Sequence, residues 1–223
     1  MLESLLWQTG FCVCHQRPER SFFMAGHQLP LCARCTGIHL GFLITAAYNL
    51  LRGRWHRAGS PDRWVLAVAV LGSQLMILDG VTSYAGLRET TNLIRLASGL
   101  GMGLAIGLIL PMVMNLQKRE LGEGDSRPTS TWQDLIPLAG LLVSAGFLIF
   151  REPESIEFFY AVSILSISGY LIGFFLLMTL LLRLVRNSSG LFAEDWPRSR
   201  RVVVQGCWMG GLWGVHYLVV NAF

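Results

Sequence analysis

Residues 96–116 read LASGLGMGLAIGLILPMVMNL, an uninterrupted run without Asp, Glu, Lys or Arg. An α-helix needs about 20 apolar residues to cross the hydrocarbon core of a bilayer, so this stretch predicts a transmembrane helix. Gly99, Gly103 and Gly107 recur within it at four-residue spacing. They share one helical face, where small residues allow a second helix to approach closely. We therefore expect this helix to pack tightly inside a membrane bundle.

The composition of the whole chain agrees with a membrane protein. Apolar residues make up 52% of the 223 positions and charged residues only 14%, whereas a soluble domain carries roughly 25% charged residues. Disordered chains are rich in charge and poor in aromatic residues, so this composition excludes them. The net charge of +4 is spread over short loops and forms no basic stripe, so no nucleic-acid partner is expected.

Five other segments complete the predicted architecture. Four of them contain no Asp, Glu, Lys or Arg, although two of these four are short, and the fifth is interrupted by Asp79. The segments are 36–51, 64–87, 135–150, 158–182 and 202–223. The predicted fold is therefore an all-α, polytopic bundle of about six transmembrane helices over residues 36–223. A Cys- and His-containing segment, residues 1–35, precedes it.

The distribution of cations over the connecting loops predicts an orientation. Loops 52–63, 117–131 and 183–201 contain twelve of the 18 Lys and Arg residues. Cytoplasmic loops are enriched in these residues, so we place these three loops in the cytoplasm. Both termini, and the segment 1–35, are then expected outside a multi-pass cell-membrane protein.

Four of the five cysteines fall near the N-terminus, as Cys12, Cys14, Cys32 and Cys35. A C-x-x-C pair combined with a distant group of Cys or His is typical of zinc sites. Zinc takes four such ligands at tetrahedral positions, and Cys14, His15, Cys32 and Cys35 would supply them. Cys12 or His39 could replace His15 as the fourth ligand, since His39 lies four residues beyond Cys35 on the same helical face.

Disulfide chemistry is the alternative for these thiols. An extracytoplasmic cluster would face an oxidising compartment, where thiols pair unless a metal protects them. Arg34, between Cys32 and Cys35, favours the thiolate form. A thiolate serves a redox thiol and a metal ligand equally, so both interpretations stay open.

The stretches CHQRPERSF at 14–22 and CARCTGI at 32–38 resemble the signature of a family of prokaryotic membrane proteins, the domain of unknown function number 2085. The similarity continues from Asp79 to Gly99 and covers about the first half of the chain. Cys12 is additional to the family pattern, and His39 stands where a tyrosine is expected. The resemblance implies a multi-pass membrane protein and supplies no established reaction.

Asp79 is the other candidate functional residue, because a carboxylate inside a predicted span must be paired or face a cavity. Arg88 and Arg95 are the nearest cations along the chain, and we expect one of them to pair with Asp79 beside the cysteines. This pairing could be a salt bridge that only locks two helices together. If the site instead takes part in a reaction, Asp79, Arg88 and Arg95 are the catalytic candidates. Arg88, Asn92 and Arg95 would then bind an anion or a lipid headgroup.

Three functions are compatible with these residues. The first, which we favour, is a binding or assembly role with a zinc site on the outer face, alone or as a subunit among other membrane proteins. The second is a thiol–disulfide oxidoreductase that uses Cys32 and Cys35 with a membrane quinone. The third is a metal-dependent enzyme acting on a lipid or isoprenoid headgroup.

Overall fold

The computed structural model describes residues 1–116, 118, 122 and 125–189, with the side chains of the last helix as far as Leu182. These residues form six α-helices and two small two-stranded sheets. The helices are α1 (Leu2–Phe11), α2 (Ala33–Leu51), α3 (Arg63–Tyr84), α4 (Asn92–Met114), α5 (Leu135–Phe150) and α6 (Ile156–Ser189). Strands β1 (Phe23–Met24) and β2 (His27–Gln28) pair antiparallel, and β3 (Arg57–Gly59) pairs parallel with β4 (Asp125–Pro128).

The predicted all-α class is confirmed, and four stretches are long and apolar enough to cross a membrane. They are Arg63–Tyr84, Asn92–Met114, Trp132–Phe150 and Ile156–Leu182. Helix α2 covers the predicted span 36–51 but is not among the four, and it carries buried polar residues such as Thr36, Thr45 and Asn49. The predicted span 202–223 lies outside the described residues, and the membrane side of each terminus stays a prediction.

Helix α2 occupies the centre of the bundle and lies closely against α4. The glycine strip of α4 forms this contact as predicted. A Cβ atom added at Gly41 of α2 would lie 2.7 Å from the Leu100 carbonyl oxygen, and one added at Gly103 would overlap the Ile38 carbonyl oxygen. Because neither helix has side chains at these points, the two backbones touch directly.

The other helices pack around this pair through further small residues. Gly101 of α4 meets Gly72 of α3, where an added Cβ on Gly72 would lie 2.6 Å from the Gly101 carbonyl oxygen. In α6, Gly169 lies against the His39 backbone and Gly173 lies against the ring of Phe42. Helix α2 is therefore enclosed by α4 and α6.

A buried ion pair closes the end of the bundle where α2 finishes. Arg54 donates to the Asp134 carboxylate, and both side chains are almost fully buried. Tyr48 of α2 donates to the same carboxylate at 2.9 Å, and the Thr131 hydroxyl donates at 2.8 Å. The chain before α5 is thereby tied to the end of α2, which leaves the opposite end, where α2 begins, for the cysteines.

We expect the substitution Gly103→Ala to lower the thermal unfolding midpoint of the detergent-purified protein. The added methyl group would collide with the α2 backbone, and overpacking of this kind costs about 1–3 kcal/mol. Gly140→Ala in α5 is the matched control, because an added Cβ there meets nothing within 4 Å. That control should be neutral or slightly stabilising, since alanine is the better helix former. Equal effects of the two substitutions would contradict the packing described here.

Candidate metal centre

Three sulfur atoms converge where α2 begins. The Sγ atoms of Cys14, Cys32 and Cys35 all lie within 4.8 Å of one another. In a tetrahedral zinc site with Zn–S bonds of about 2.3 Å, neighbouring sulfurs are separated by roughly 3.8 Å. The three thiols are therefore close enough to share one metal ion after small side-chain adjustments.

The start of α2 places two of these thiols. Cys32 is the N-cap residue of the helix, and Cys35 lies in its first turn. The unpaired backbone N–H groups and the dipole at a helix N-terminus favour negative charge, so this position favours thiolates. The C-x-x-C spacing thus turns both sulfurs toward one point at the end of the bundle.

Cys14 arrives from the segment that follows α1 and is held by a network around Gln16. The Cys32 backbone N–H donates to the Cys14 sulfur at 3.2 Å. The buried Gln16 side chain donates to the carbonyls of Trp7, at 2.7 Å, and Pro30, at 2.9 Å. Gln28 then donates to the Gln16 carbonyl at 2.7 Å. These contacts hold the segment after α1 against the residues that lead into Cys32.

The thiols influence one another strongly because they share hydrogen bonds in a mostly buried setting. Hydrogen bonds with the Cys14 and Cys35 thiols lower the pKa of Cys32 to about 2. The hydrogen bond with Cys32 raises the pKa of Cys14 above its usual range. These shifts favour the thiolate form of Cys32 and the protonated form of Cys14. Metal binding releases such thiol protons.

The three candidates for a fourth ligand lie outside the group of mutually close sulfurs. His15 is exposed and lines a pocket together with the three cysteines. Cys12 donates its thiol to the Gln8 carbonyl in α1 at 3.7 Å. His39, one turn beyond Cys35, places its ring edge-on against Tyr170, with 5.5 Å between centroids. His15 therefore remains the predicted fourth ligand.

Asp79 lies at the same end of the bundle, as predicted, and its pairing with Arg88 is confirmed. Arg88 donates to Oδ1 at 2.6 Å. Arg34, between Cys32 and Cys35, donates to Oδ2 through both Nη2 and Nε, the latter at 3.2 Å. Arg34 and Asp79 are almost fully buried, whereas Arg88 is half-exposed. The carboxylate thus connects the cysteine segment to the end of α3.

Two hydroxyl groups complete the surroundings of this carboxylate. Thr90 donates to Oδ1 at 2.7 Å, and Ser98 donates to Oδ2 at 3.3 Å. The other predicted partner, Arg95, does not bind the carboxylate and donates instead to Asn92 at 3.0 Å. Asn92 in turn donates to the Ser21 carbonyl at 3.1 Å. Asn92 and Arg95 therefore support the N-terminal segment, and Asp79 is fully engaged as an acceptor.

Sequence reasoning missed two residues that organise this end of the protein. Arg34 was assigned to the neighbouring thiolates, although it is a buried partner of Asp79. Its position one residue before Cys35 gives no sign of a contact with a carboxylate 45 residues away. Gln16 was not singled out, because an uncharged residue between His15 and Arg17 is indistinguishable from an ordinary loop residue.

Comparisons with known proteins find relatives over the part of the chain that contains this centre. The model of a family described as a predicted membrane protein, DUF2085, matches residues 14–109. An uncharacterized protein of Methanothermobacter thermautotrophicus is 34% identical over 107 residues, covering 47% of this chain and 89% of the relative. Uncharacterized protein MJ1492 of Methanocaldococcus jannaschii is 35% identical over 105 residues, covering 47% of this chain and 65% of that protein. No solved structure matches the chain significantly.

We expect Asp79→Asn to destabilise the protein strongly, by about 3 kcal/mol or more, because removing one partner leaves a buried Arg34 charge without its anion. The thermal unfolding midpoint in detergent measures this effect. Asp125→Asn is the control, since its ion pair with Arg127 is exposed and exposed pairs contribute little. An Asp79→Asn protein as stable as the control would show that the ion pair is dispensable.

Proposed function

Because this chain belongs to the DUF2085 family of predicted membrane proteins, we propose that it is an integral membrane protein that binds zinc through Cys14, Cys32 and Cys35. The zinc ion would join the N-terminal segment to the start of α2 and so build the outer face of the bundle. The role that follows is binding or assembly. The convergence of three sulfurs from two separate segments is the observation that carries this proposal.

The chemistry of the donors favours zinc. Thiolates select soft or borderline metal ions such as Zn²⁺ and Cu(I), and they also hold iron–sulfur clusters. Tetrahedral sites with three Cys and one His are common for structural zinc. Cys14 is separated from Cys32 by a turn and the β1–β2 hairpin, a short segment whose Phe22, Met24 and Leu29 side chains are buried in the core. A metal crosslink between the two segments would stabilise this small unit, as zinc does in other small folds.

His15 is the proposed fourth ligand because it follows Cys14 directly and lines the pocket shared with the three cysteines. The exposed His15 side chain would turn toward the ion to complete its coordination. The proposed extracytoplasmic location rests on the cation-rich loops at the opposite end of the helices. Zinc would also protect the thiols from oxidation in that compartment.

The two other functions have weaker support. A dithiol oxidoreductase needs a pair of cysteines, whereas here a third thiol, Cys14, lies against both members of the Cys32–Cys35 pair. An enzyme that uses Asp79 as a base needs a carboxylate oxygen directed at substrate. Arg34, Arg88, Thr90 and Ser98 already donate to both oxygens of Asp79, which supports a locking role for this residue.

We expect the detergent-purified protein to contain one zinc ion per chain, measured by inductively coupled plasma mass spectrometry. Cys32→Ser and Cys35→Ser should each remove most of the zinc, because two remaining thiolates and a histidine bind it far more weakly. Cys12→Ser is the control and should retain zinc, since its thiol bonds within α1.

A metal-free protein in which Cys32 and Cys35 form a reversible disulfide would overturn the proposal in favour of the oxidoreductase. Equal zinc content in the Cys32→Ser and Cys12→Ser proteins would place the metal elsewhere.

A further inference from the structure

A pocket of about 270 Å³ opens directly over the three thiols. Its floor is formed by Cys14, Cys32 and Cys35, and its walls include the cationic side chains of Arg17 and Arg20. Its size is below the usual range for drug-sized ligands, so it suits a small polar group. Most of its lining residues belong to the N-terminal segment, and Arg34 and Arg88, which bind Asp79, do not line it.

Two guanidinium groups line this pocket beside the thiolates. Three thiolates around a divalent ion carry a net charge of −1, because zinc contributes +2. Arg17 and Arg20 contribute two positive charges to the walls, and none of the described carboxylates lines the pocket. Glu19, outside the lining, lies 3.9 Å from the Arg17 guanidinium, but both side chains are more than half exposed and exposed pairs of this kind contribute little. Arg34 lies behind the cysteines and is already paired with Asp79. Arg20, and Arg17 once it leaves its weak exposed pair, can therefore supply positive charge to a ligand.

Tyr84, at the end of α3, completes the wall and positions Arg20. The Arg20 guanidinium lies over the Tyr84 ring, 5.2 Å from its centroid, and the Arg34 guanidinium lies 5.8 Å from the same centroid. An aromatic ring stacked with a guanidinium limits the positions that the flexible arginine can adopt. The ring thus holds the Arg20 guanidinium group at the pocket wall. This reduces the side-chain conformational entropy that is lost when a ligand binds.

An exposed apolar strip leads up to this pocket. Ile77, Val81 and Tyr84 of α3 follow helical spacing, and all three side chains are largely exposed. Helix α3 is one of the candidate membrane spans, so this strip faces lipid. A molecule with its polar head in the pocket could extend its chains along α3.

We infer that the pocket binds a phosphate group, held by Arg17 and Arg20 beside the three thiols. A guanidinium fork matches two phosphate oxygens at once, which makes arginine the preferred side chain for this anion. The inference rests on the proposed zinc site, since the ion offsets most of the thiolate charge. The phosphate comes from a lipid headgroup or from solution, and the exposed strip on α3 suits the lipid.

Isothermal titration of inorganic phosphate into the zinc-loaded, full-length protein tests the inference. Arg20→Gln should weaken binding about tenfold or more, since a hydrogen bond to a charged group contributes about 1.5–3 kcal/mol. Arg17→Gln, at a more exposed position, is the second variant and should also weaken binding. Arg151→Gln is the matched control, because Arg151 follows α5 at the same end of the bundle and lies over Phe147 instead.

Repeating the titration in nanodiscs distinguishes the two sources. If phosphatidic acid in a phosphatidylcholine bilayer competes with inorganic phosphate, the pocket takes lipid headgroups. If it does not compete, the pocket takes free phosphate, and both results support the inference. Absence of binding by the zinc-loaded protein to phosphate and to phosphatidic acid would overturn it, as would equal losses in the Arg20→Gln and Arg151→Gln proteins.

The zinc content of every sample separates this inference from the proposed function. A zinc-loaded protein without phosphate affinity contradicts the pocket alone. A protein that purifies without zinc and still binds phosphate through Arg20 contradicts the proposed function and supports the pocket.

Discussion

The buried ion pair between Arg34 and Asp79 is the contact on which the cysteine-bearing end of this protein depends. A lone carboxylate in a membrane helix is costly, and Arg34 offsets that cost from the first turn of α2. Because Arg34 lies between Cys32 and Cys35, the contact that neutralises Asp79 also fixes the position of the thiols. If the start of α2 separated from the end of α3, the buried Arg34 side chain would lose its carboxylate partner.

Close backbone contact makes this arrangement possible. The glycines of α4 allow α2 to lie at the centre of the bundle, and a central helix can present polar groups at both of its ends to neighbouring elements. A buried Arg–Asp pair is found at each end, Arg34 with Asp79 and Arg54 with Asp134. The two pairs hold the helix in register along the bundle, and the cysteines occupy the end that the N-terminal segment covers.

Periodicity and spacing predicted much of this structure, because they reflect local geometry. Glycines at four-residue intervals indicated that α4 packs closely against a second helix, and the C-x-x-C pair with Cys14 indicated the thiol cluster. That Asp79 pairs with Arg88 or Arg95 followed from their short separation along the chain, and the structure selects Arg88. Arg34 as a partner of Asp79 could not be predicted, since it depends on how two helices cross. The pocket formed by Arg17, Arg20 and Tyr84 is equally a product of tertiary packing.

The Arg34–Asp79 pair holds three thiols together at the start of α2, and we propose that they form one metal centre. The zinc K-edge X-ray absorption spectrum of the purified protein tests it most directly, since it counts the atoms bound to the ion. We expect three sulfur neighbours at about 2.3 Å and one nitrogen or oxygen neighbour at about 2.0–2.1 Å. A spectrum with only nitrogen and oxygen neighbours, or with a single sulfur, would contradict it.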